Sequence, residues 1–534
     1  MWAHAVWFLT ALQVLAAVTD INAFTESDIL YWRQNAKKLV EEKETLTLRT
    51  NTAKNLIIFM GDGMSVPTLT AARIYKGQLK NETGESDHLS FERFPFTGMS
   101  KTYCVDKQVP DSACTATAYL CGVKANRGTI GVTSKVLRKD CPAAAADNRP
   151  ESIMQWAQWA GKATGIVTTT RVTHASPAGA YAHSAERDWE SDSDMLKHAN
   201  ITSIKECEDI ALQLITRDPG RNFKVIMGGG RDKFLMKKVN TTNERLSEDL
   251  VVRWQNDKEE RFKGKTAKYM TNRGELLSAD VSKIDYLLGL FQEQHMDYRL
   301  KSDVNKQPTL QEMTRKAIEL LQKEENGFVL FVEGGLIDIA HHEKYAKLAL
   351  DETVELSKAV SEAVSLTSED DTLIVVTSDH AHTMSMAGYP NRGASILGLG
   401  GKLAKDGKPY TTLSYANGPE TEKGSTDHSR TNLTEVDFEN VDFRYPSLVP
   451  LSSETHGGDD VMVFARGPWA HLFTGNYEQN TIPLAMATAA KISTESQKSK
   501  KESTTSLGQI SADALNTLIA SMLIVLFGIH LSNA

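Results

Sequence analysis

What this chain has little of narrows it first. Five cysteines in 534 residues are too few to staple a disulfide-built mini-domain. There is no basic surplus: 60 Lys+Arg face 68 Asp+Glu, a formal net charge of −8. That balance leaves no electrostatic footprint for a nucleic-acid backbone, so nucleic-acid recognition is not expected. Long apolar runs are missing from the interior and occur only at the two ends. No internal repeat stands out. What is present is apolar content: 41% of the residues, enough to bury a core of several hundred residues in a large, mildly acidic globular protein.

The two ends read as processing signals. The run from Ala5 to Val18 is short for a membrane span and is followed by Ile21-Asn22-Ala23, a small-residue cleavage site, so residues 1–23 are expected to be a secretory signal peptide. The run from Leu515 to Leu531 falls short of the ~20 residues of a transmembrane helix. As a span it would also set Lys498, Lys500 and Lys501 on the lumenal side, against the positive-inside bias. Small residues, a polar spacer and a terminal apolar tail instead fit a GPI-anchor signal. The expectation is a polar stalk at 493–506, attachment at Ser506, and a removed segment at 507–534, which places the protein on the extracellular face of the plasma membrane. On that route the sequons at Asn81, Asn200, Asn240 and Asn432 become candidate glycosylation sites. Disulfides are permitted, and with Cys104, Cys114, Cys121, Cys141 and Cys207 the count is odd, so at least one thiol stays unpaired within the chain.

Between the ends, short β-rich runs alternate with helical patterns. The runs are Asn55–Met60, Gly165–Thr170, Phe223–Met227, Phe328–Val332 and Thr372–Thr377, and helices are expected near 28–44, 66–77, 113–122, 309–324 and 343–366. Continuous apolar strands of this kind belong to an α/β fold with a mostly parallel sheet covered by helices on both faces. Residues 388–453 turn rich in Gly, Pro, Asn and Thr, and a further strand, Val461–Ala465, follows them. They read as an inserted loop-rich subdomain within a catalytic domain of residues 24–387 and 454–492.

Ligands of open α/β sheets bind beyond the carboxyl ends of the strands. Here those ends run into Gly61-Asp62-Gly63, Thr173-His174-Ala175-Ser176, Glu333-Gly334-Gly335-Leu336-Ile337-Asp338 with His341-His342 behind, and Ser378-Asp379-His380. Singly, a Gly-Asp-Gly is an ordinary turn and a strand-end Asp an ordinary helix cap; four together mark a site. Asp338 and His342, spaced i, i+4, would aim at one ion from a single helical turn. Mixed His/Asp ligation favours zinc, whereas Glu333, Ser176 and a second oxygen of Asp62 form an all-oxygen set that favours magnesium. His174 reads as a packing or outer residue. In Asp111-Ser112-Ala113-Cys114, the small residues allow a helix to start with the Ser112 hydroxyl at its N-terminal mouth, where phosphate is favoured. A serine needs a metal or base to become a nucleophile, and the metal cluster would supply it.

Taken in order, these residues resemble alkaline phosphatase of the animal, membrane-anchored type. The likeness runs from about residue 28 to 490. It includes Asp62, Asp111-Ser112-Ala113, His174-Ala175-Ser176-Pro177, Arg187 before Asp188-Trp189, Gly228-Gly229-Gly230-Arg231, Glu333, Asp338, His342, Asp379-His380 and Glu454-Thr455-His456. The resemblance implies hydrolysis of small-molecule phosphate monoesters at alkaline pH, with Ser112 as nucleophile and Arg187 as phosphate clamp. It implies one zinc on Asp338, His342 and His456, a second on Asp62, Asp379 and His380, and magnesium on Asp62, Ser176 and Glu333. It also implies a homodimer embraced by an N-terminal helix near 28–44, a crown-like subdomain at 388–453, and a Cys141–Cys207 disulfide.

The chain departs from the vertebrate pattern in places. Cys114 stands where the family often has Gly, an oxidisable group two residues from Ser112. Leu336 and Ile339 replace polar residues, and two acidic positions of the vertebrate calcium site are Gln292 and Gln307, which argues against calcium. Two enzyme alternatives share a bimetal core. A sulfatase would need a Cys-x-Pro/Ala-x-Arg segment that neither Cys114 nor Cys141 provides, and a diesterase usually has Thr as nucleophile and no third metal. An inactive cell-surface binding protein on this scaffold would lack ligands, and none is missing.

Overall fold

The continuous apolar runs become the centre of a ten-stranded sheet in the computed structural model, which describes residues 25–197, 207–236, 238, 245–420 and 430–494. In chain order its strands begin β1 Asn55–Gly61, β2 Phe96–Lys101, β3 Ala163–Arg171, β4 Val225–Gly229, β5 Ala267–Met270, β6 Tyr286–Leu290, β7 Phe328–Gly334 and β8 Thr372–Thr377, and are completed by Val461–Arg466 and Gly475–Glu478. The spatial order is Gly475–Glu478, β2, Val461–Arg466, β8, β1, β7, β3, β4, β6, β5. Every pairing is parallel except those of Val461–Arg466 with β2 and β8. The four strands expected to deliver chemistry, β8, β1, β7 and β3, are thus consecutive neighbours. Four strands were not foreseen: β2, β5, β6 and Gly475–Glu478.

Alternation along each strand feeds two cores. Leu56, Ile58 and Met60 of β1 join one cluster, with Ala113, Tyr119 and Leu120 of the helix Ser112–Cys121 and Met486 of Thr481–Ala490. Ile57 and Phe59 join the other, with residues from the helices Val66–Gln78, Leu310–Leu321 and Ala346–Leu366. Each strand therefore needs apolar residues at both parities, which is why it reads as an unbroken run. The helix Leu310–Leu321 shows the local logic: Thr309 accepts from the Glu312 N–H at 3.2 Å, the Glu312 carboxylate accepts from the Thr309 N–H at 3.0 Å, and Met313, Ala317, Ile318 and Leu321 face the core.

Register sets the strand ends level. Met60 pairs with both Thr377 and Glu333, and Glu333 pairs with Thr168. Asp62 and Asp379, each two residues further on, therefore leave the sheet side by side. The residues between β8 and Val461–Arg466 hold a separate three-stranded sheet of Met384–Met386, Leu413–Gly418 and Ser447–Pro450, where the sequence reads as loops. A two-residue antiparallel pairing, His456–Gly457 with Ala381–His382, returns the chain to the sheet end.

The chain divides into two compact units, one up to Leu48 and one from Arg49 onward. In the first, none of the residues of the helix Ile29–Glu44 is buried. The signal and anchor segments, Ser506, Asn200 and Asn240 lie outside the described residues, while Asn81 and Asn432 are exposed. Cys141 and Cys207 are disulfide-bonded. A second disulfide joins Cys104 to Cys114, and Cys121 is buried and free.

Candidate active site

Ser112 opens its helix because Asp111 caps it. The Asp111 side chain accepts from the N–H groups of Cys114 at 3.2 Å and Gly128 at 3.1 Å, and its other oxygen takes Arg187 Nη1 at 3.0 Å. One carboxylate thus fixes both the nucleophile candidate and the clamp candidate. The second Arg187 nitrogen, Nη2, donates to His174 Nε2 at 3.2 Å. A guanidinium only donates, so His174 Nε2 accepts and its proton sits on Nδ1, which is buried and without a partner among the described residues.

The expected ligands gather in three sets, the first of them against Ser112 Oγ. In the first, His380 Nε2 lies 3.1 Å from Ser112 Oγ, 3.5 Å from Asp62 Oδ1 and 3.2 Å from Asp379 Oδ2. His380 Nδ1 faces the Ala381 carbonyl at 3.2 Å and so carries the proton, leaving Nε2 a bare lone pair. In the second, Asp338 Oδ1 is 3.3 Å from His342 Nε2 and 3.2 Å from His456 Nε2, and those two nitrogens are 3.1 Å apart. His342 Nδ1 donates to the Glu454 carbonyl at 2.5 Å and His456 Nδ1 to the Pro110 carbonyl at 2.8 Å, so both Nε2 atoms are again lone pairs. The third set is oxygen-rich. Ser176 Oγ donates to Asp62 Oδ2 at 3.4 Å, and Glu333 accepts from Thr168 and from Thr170 Oγ1, the latter at 3.0 Å.

Acceptors converging on acceptors call for a cation. Asp62 Oδ1, Asp379 Oδ2 and Glu333 Oε1 are all buried without a hydrogen-bond partner among the described residues. Burial, then the facing Asp379, Asp338 and Glu333, push Asp62 well above the usual carboxylate range. Burial likewise lifts Glu333 to about 7 and Asp379 to about 6. Burial would also raise Asp338, but the neighbouring His382, donating to it at 2.7 Å, holds it well below the usual range. Leaving such carboxylates unpaired is costly, and divalent metal ions fit the negative charge and the donor chemistry of each set.

One residue at this site, His382, escaped the sequence reading, and Glu454 entered it within the family motif without a role. His382 donates Nδ1–H to Glu454 Oε2 at 2.5 Å and Nε2–H to Asp338 Oδ1 at 2.7 Å. Burial opposes its charge, but the two carboxylates push it up to about 10; with each ring nitrogen facing a carboxylate oxygen, the ring acts as a strut between Asp338 and Glu454. Glu454 holds that strut with one oxygen and takes Thr383 N–H at 2.7 Å with the other. His174 is also closer to the site than expected: it groups with Asp62 and Glu333 within 4.8 Å. A signal for His382 was available, since it follows His380 at the spacing of one strand face. Gln292 and Gln307 both aim amide donors at the Asp297 carboxylate, at 3.3 and 2.7 Å.

The family model described as alkaline phosphatase matches residues 53–492. The membrane-bound alkaline phosphatase of Bombyx mori is 48% identical over 475 residues, covering 87% of this chain and 86% of that protein. The tissue-nonspecific alkaline phosphatase isozyme of Homo sapiens is 48% identical over 480 residues, covering 88% and 89%. Among solved structures, the alkaline phosphatases of Thermus thermophilus (TM-score 0.59, 21% identity, 84% of this chain and 94% of that one) and the Antarctic bacterium TAB5 (0.57, 22%, 84% and 100%) share the fold. Among the described residues no helix is long and apolar enough to cross a membrane. Matched over most of its length in family, relatives and fold, the chain belongs to the alkaline phosphatase family and is a phosphatase, a hydrolase.

Proposed function

We propose that this enzyme hydrolyses a broad range of phosphate monoesters at alkaline pH through a phosphoserine at Ser112, with two zinc ions and one magnesium. The observation that carries this reading is the grouping of three acceptor sets, each with a buried carboxylate, the first of them against the Ser112 hydroxyl at a helix N-terminus. Asp338, His342 and His456 would hold one zinc, Asp62, Asp379 and His380 the other, and Asp62, Ser176 and Glu333 the magnesium. Once bound, these ions neutralise the carboxylates, act as Lewis acids on the phosphoryl oxygens and lower the pKa of a nearby hydroxyl.

The chain's own residues do the rest. Arg187, oriented by Asp111, presents its fork to the non-bridging oxygens, and its charge is largest in effect where it develops in the transition state. Ser112 Oγ forms the bond to phosphorus in line with the departing alcohol oxygen, and water later releases phosphate from the serine. A site that grips only the phosphate leaves the alcohol unspecified, which supports a broad range. His342 and His456 are kept in the ligating tautomer by carbonyls, so no reorganisation is needed at the site.

The further reading is an extracellular, GPI-anchored glycoprotein homodimer, with a catalytic domain of residues 24–387 and 454–492 and a crown-like insertion at 388–453. Exposed apolar residues support the dimer: Ile29, Trp32 and Leu39 on the N-terminal helix, and Tyr389 and Leu448 on the insertion, 91% and 86% exposed. The test is turnover of an aryl phosphate monoester at raised pH, with and without chelator, beside the matching diester and sulfate ester. Metal-dependent monoester turnover that far exceeds the other two is expected. Metal-independent turnover, or preference for the diester or sulfate, would overturn the reading.

A further inference from the structure

The helix that opens at Ser112 is cross-linked two residues into its first turn. Cys114 is joined to Cys104, ten residues earlier, and both sulfurs are buried against Ala125. The segment this bond closes enters the site through three consecutive residues. The Pro110 carbonyl fixes the His456 tautomer at 2.8 Å, Asp111 holds Arg187 at 3.0 Å, and Ser112 Oγ lies 3.1 Å from His380 Nε2. The stretch before them is solvent-facing, with Val105 and Val109 exposed. Its ties are few: Val105 N–H donates to the Ala125 carbonyl at 3.0 Å, and the Asp106 carboxylate accepts from the Arg127 N–H at 2.8 Å.

We propose that the Cys104–Cys114 disulfide is a positioning element of the active site, holding Pro110-Asp111-Ser112 in the geometry the reaction needs. The inference rests on the reading of Ser112, Arg187 and His456 given above and adds a requirement to it. An exposed segment free at both ends samples many conformations, and closing it removes most of them. Three functions hang on adjacent residues here, so a small displacement moves nucleophile, clamp and metal-ligand support together. The Cys141–Cys207 bond closes a far longer segment that carries Ser176 and Arg187 but neither Pro110 nor Ser112, and it serves as a comparison cross-link whose loss leaves the nucleophile segment closed.

The experiment compares Cys104→Ser/Cys114→Ser with Cys141→Ser/Cys207→Ser and Ser112→Ala in the full-length, metal-loaded enzyme, using an aryl phosphate monoester well below each variant's Tm. Non-reducing peptide mapping of the unaltered enzyme should yield a linked 104–114 peptide and an alkylatable Cys121. The first pair should lose roughly ten- to hundredfold in kcat, as expected for a misplacement near one ångström. The second pair should lower Tm and lose clearly less kcat than the first. A purely structural cross-link would lower Tm alone, so an unchanged kcat in the first pair overturns the proposal, as do free thiols at Cys104 and Cys114. Should the serine pair not fold, Cys104→Ala/Cys114→Ala repeats the test without a buried hydroxyl, and failure of both to fold assigns the bond a folding role instead. Full turnover by Ser112→Ala would overturn the site reading itself, a result distinct from any of these.

Discussion

Glu454 is the residue on which one metal set leans hardest. Its carboxylate takes His382 Nδ1–H at 2.5 Å and Thr383 N–H at 2.7 Å, its carbonyl takes His342 Nδ1–H at 2.5 Å, and its N–H donates to the His342 carbonyl at 2.9 Å. Only 1% of it is exposed. Glu454→Gln keeps the volume but offers one acceptor oxygen where two are needed, so an amide N–H must face either the His382 or the Thr383 donor. The His382 strut then loses its second carboxylate and shifts against Asp338. Loss of such an outer partner costs about 10–100-fold in metal affinity, or roughly 1.4–2.7 kcal/mol. The unsatisfied donor adds about 1–3 kcal/mol of lost stability. Zinc per chain, measured after equilibration with graded chelator, should show one zinc weakened by that factor and the other held as in the unaltered enzyme. Two zinc ions bound with unchanged affinity would refute the reasoning.

Other outcomes follow from the same geometry. Arg187→Ala should lower kcat by about 10²–10³ and weaken inhibition by inorganic phosphate, and Arg187→Lys should not restore the loss because a lysine lacks the fork; steady-state kinetics with phosphate as inhibitor checks both. A Cβ on Gly63, whose φ is +68°, would lie 2.3 Å from the His382 ring. Gly63→Ala should therefore push the strut aside and weaken zinc in the same assay as Glu454→Gln, although Gly63 is not itself a ligand. Glu352 is buried near Asp351 and Glu355, and burial pushes its carboxyl up to about 8 from 4.5. The folded state then keeps a proton that the unfolded chain has released, so stability declines as pH rises through that window. Glu352→Gln should remove the decline and gain on the order of a few kcal/mol at about pH 9 relative to about pH 6; equal effects at both pH values in urea unfolding would contradict it.

The sequence made the middle of this molecule legible and its margins obscure, for physical reasons. β1, β7 and β8 are buried on both faces and so read as unbroken apolar runs. β2 (Phe-Thr-Gly-Met-Ser-Lys) lies near the sheet edge with polar and exposed positions, and β5 is four residues at the edge itself; neither carries a run to read. Gly289 breaks the apolar run of β6 and mimics a turn, although its place in the sheet is buried. Asp62, Glu333, Asp338, Asp379 and His380 could be nominated because parallel register forces strand ends together. His456 could not, since it precedes its strand and arrives by pairing with His382 across 73 intervening positions of chain; only the family likeness named it. The role of Glu454 needs the same long-range contact. The Cys104–Cys114 pairing was undecidable from spacing, because three cysteines lie within 18 residues of one another.

The central claim is that phosphate passes through Ser112. Rapid acid quenching of the metal-loaded enzyme with a phosphate monoester, followed by peptide mass spectrometry, tests it most directly. The expected result is phosphate on the peptide holding Ser112, formed within the first turnover, lost on chase with unlabelled substrate and absent in Ser112→Ala. Phosphate on another residue, or none during active turnover at a pH where phosphoserine release is slow, would contradict the account.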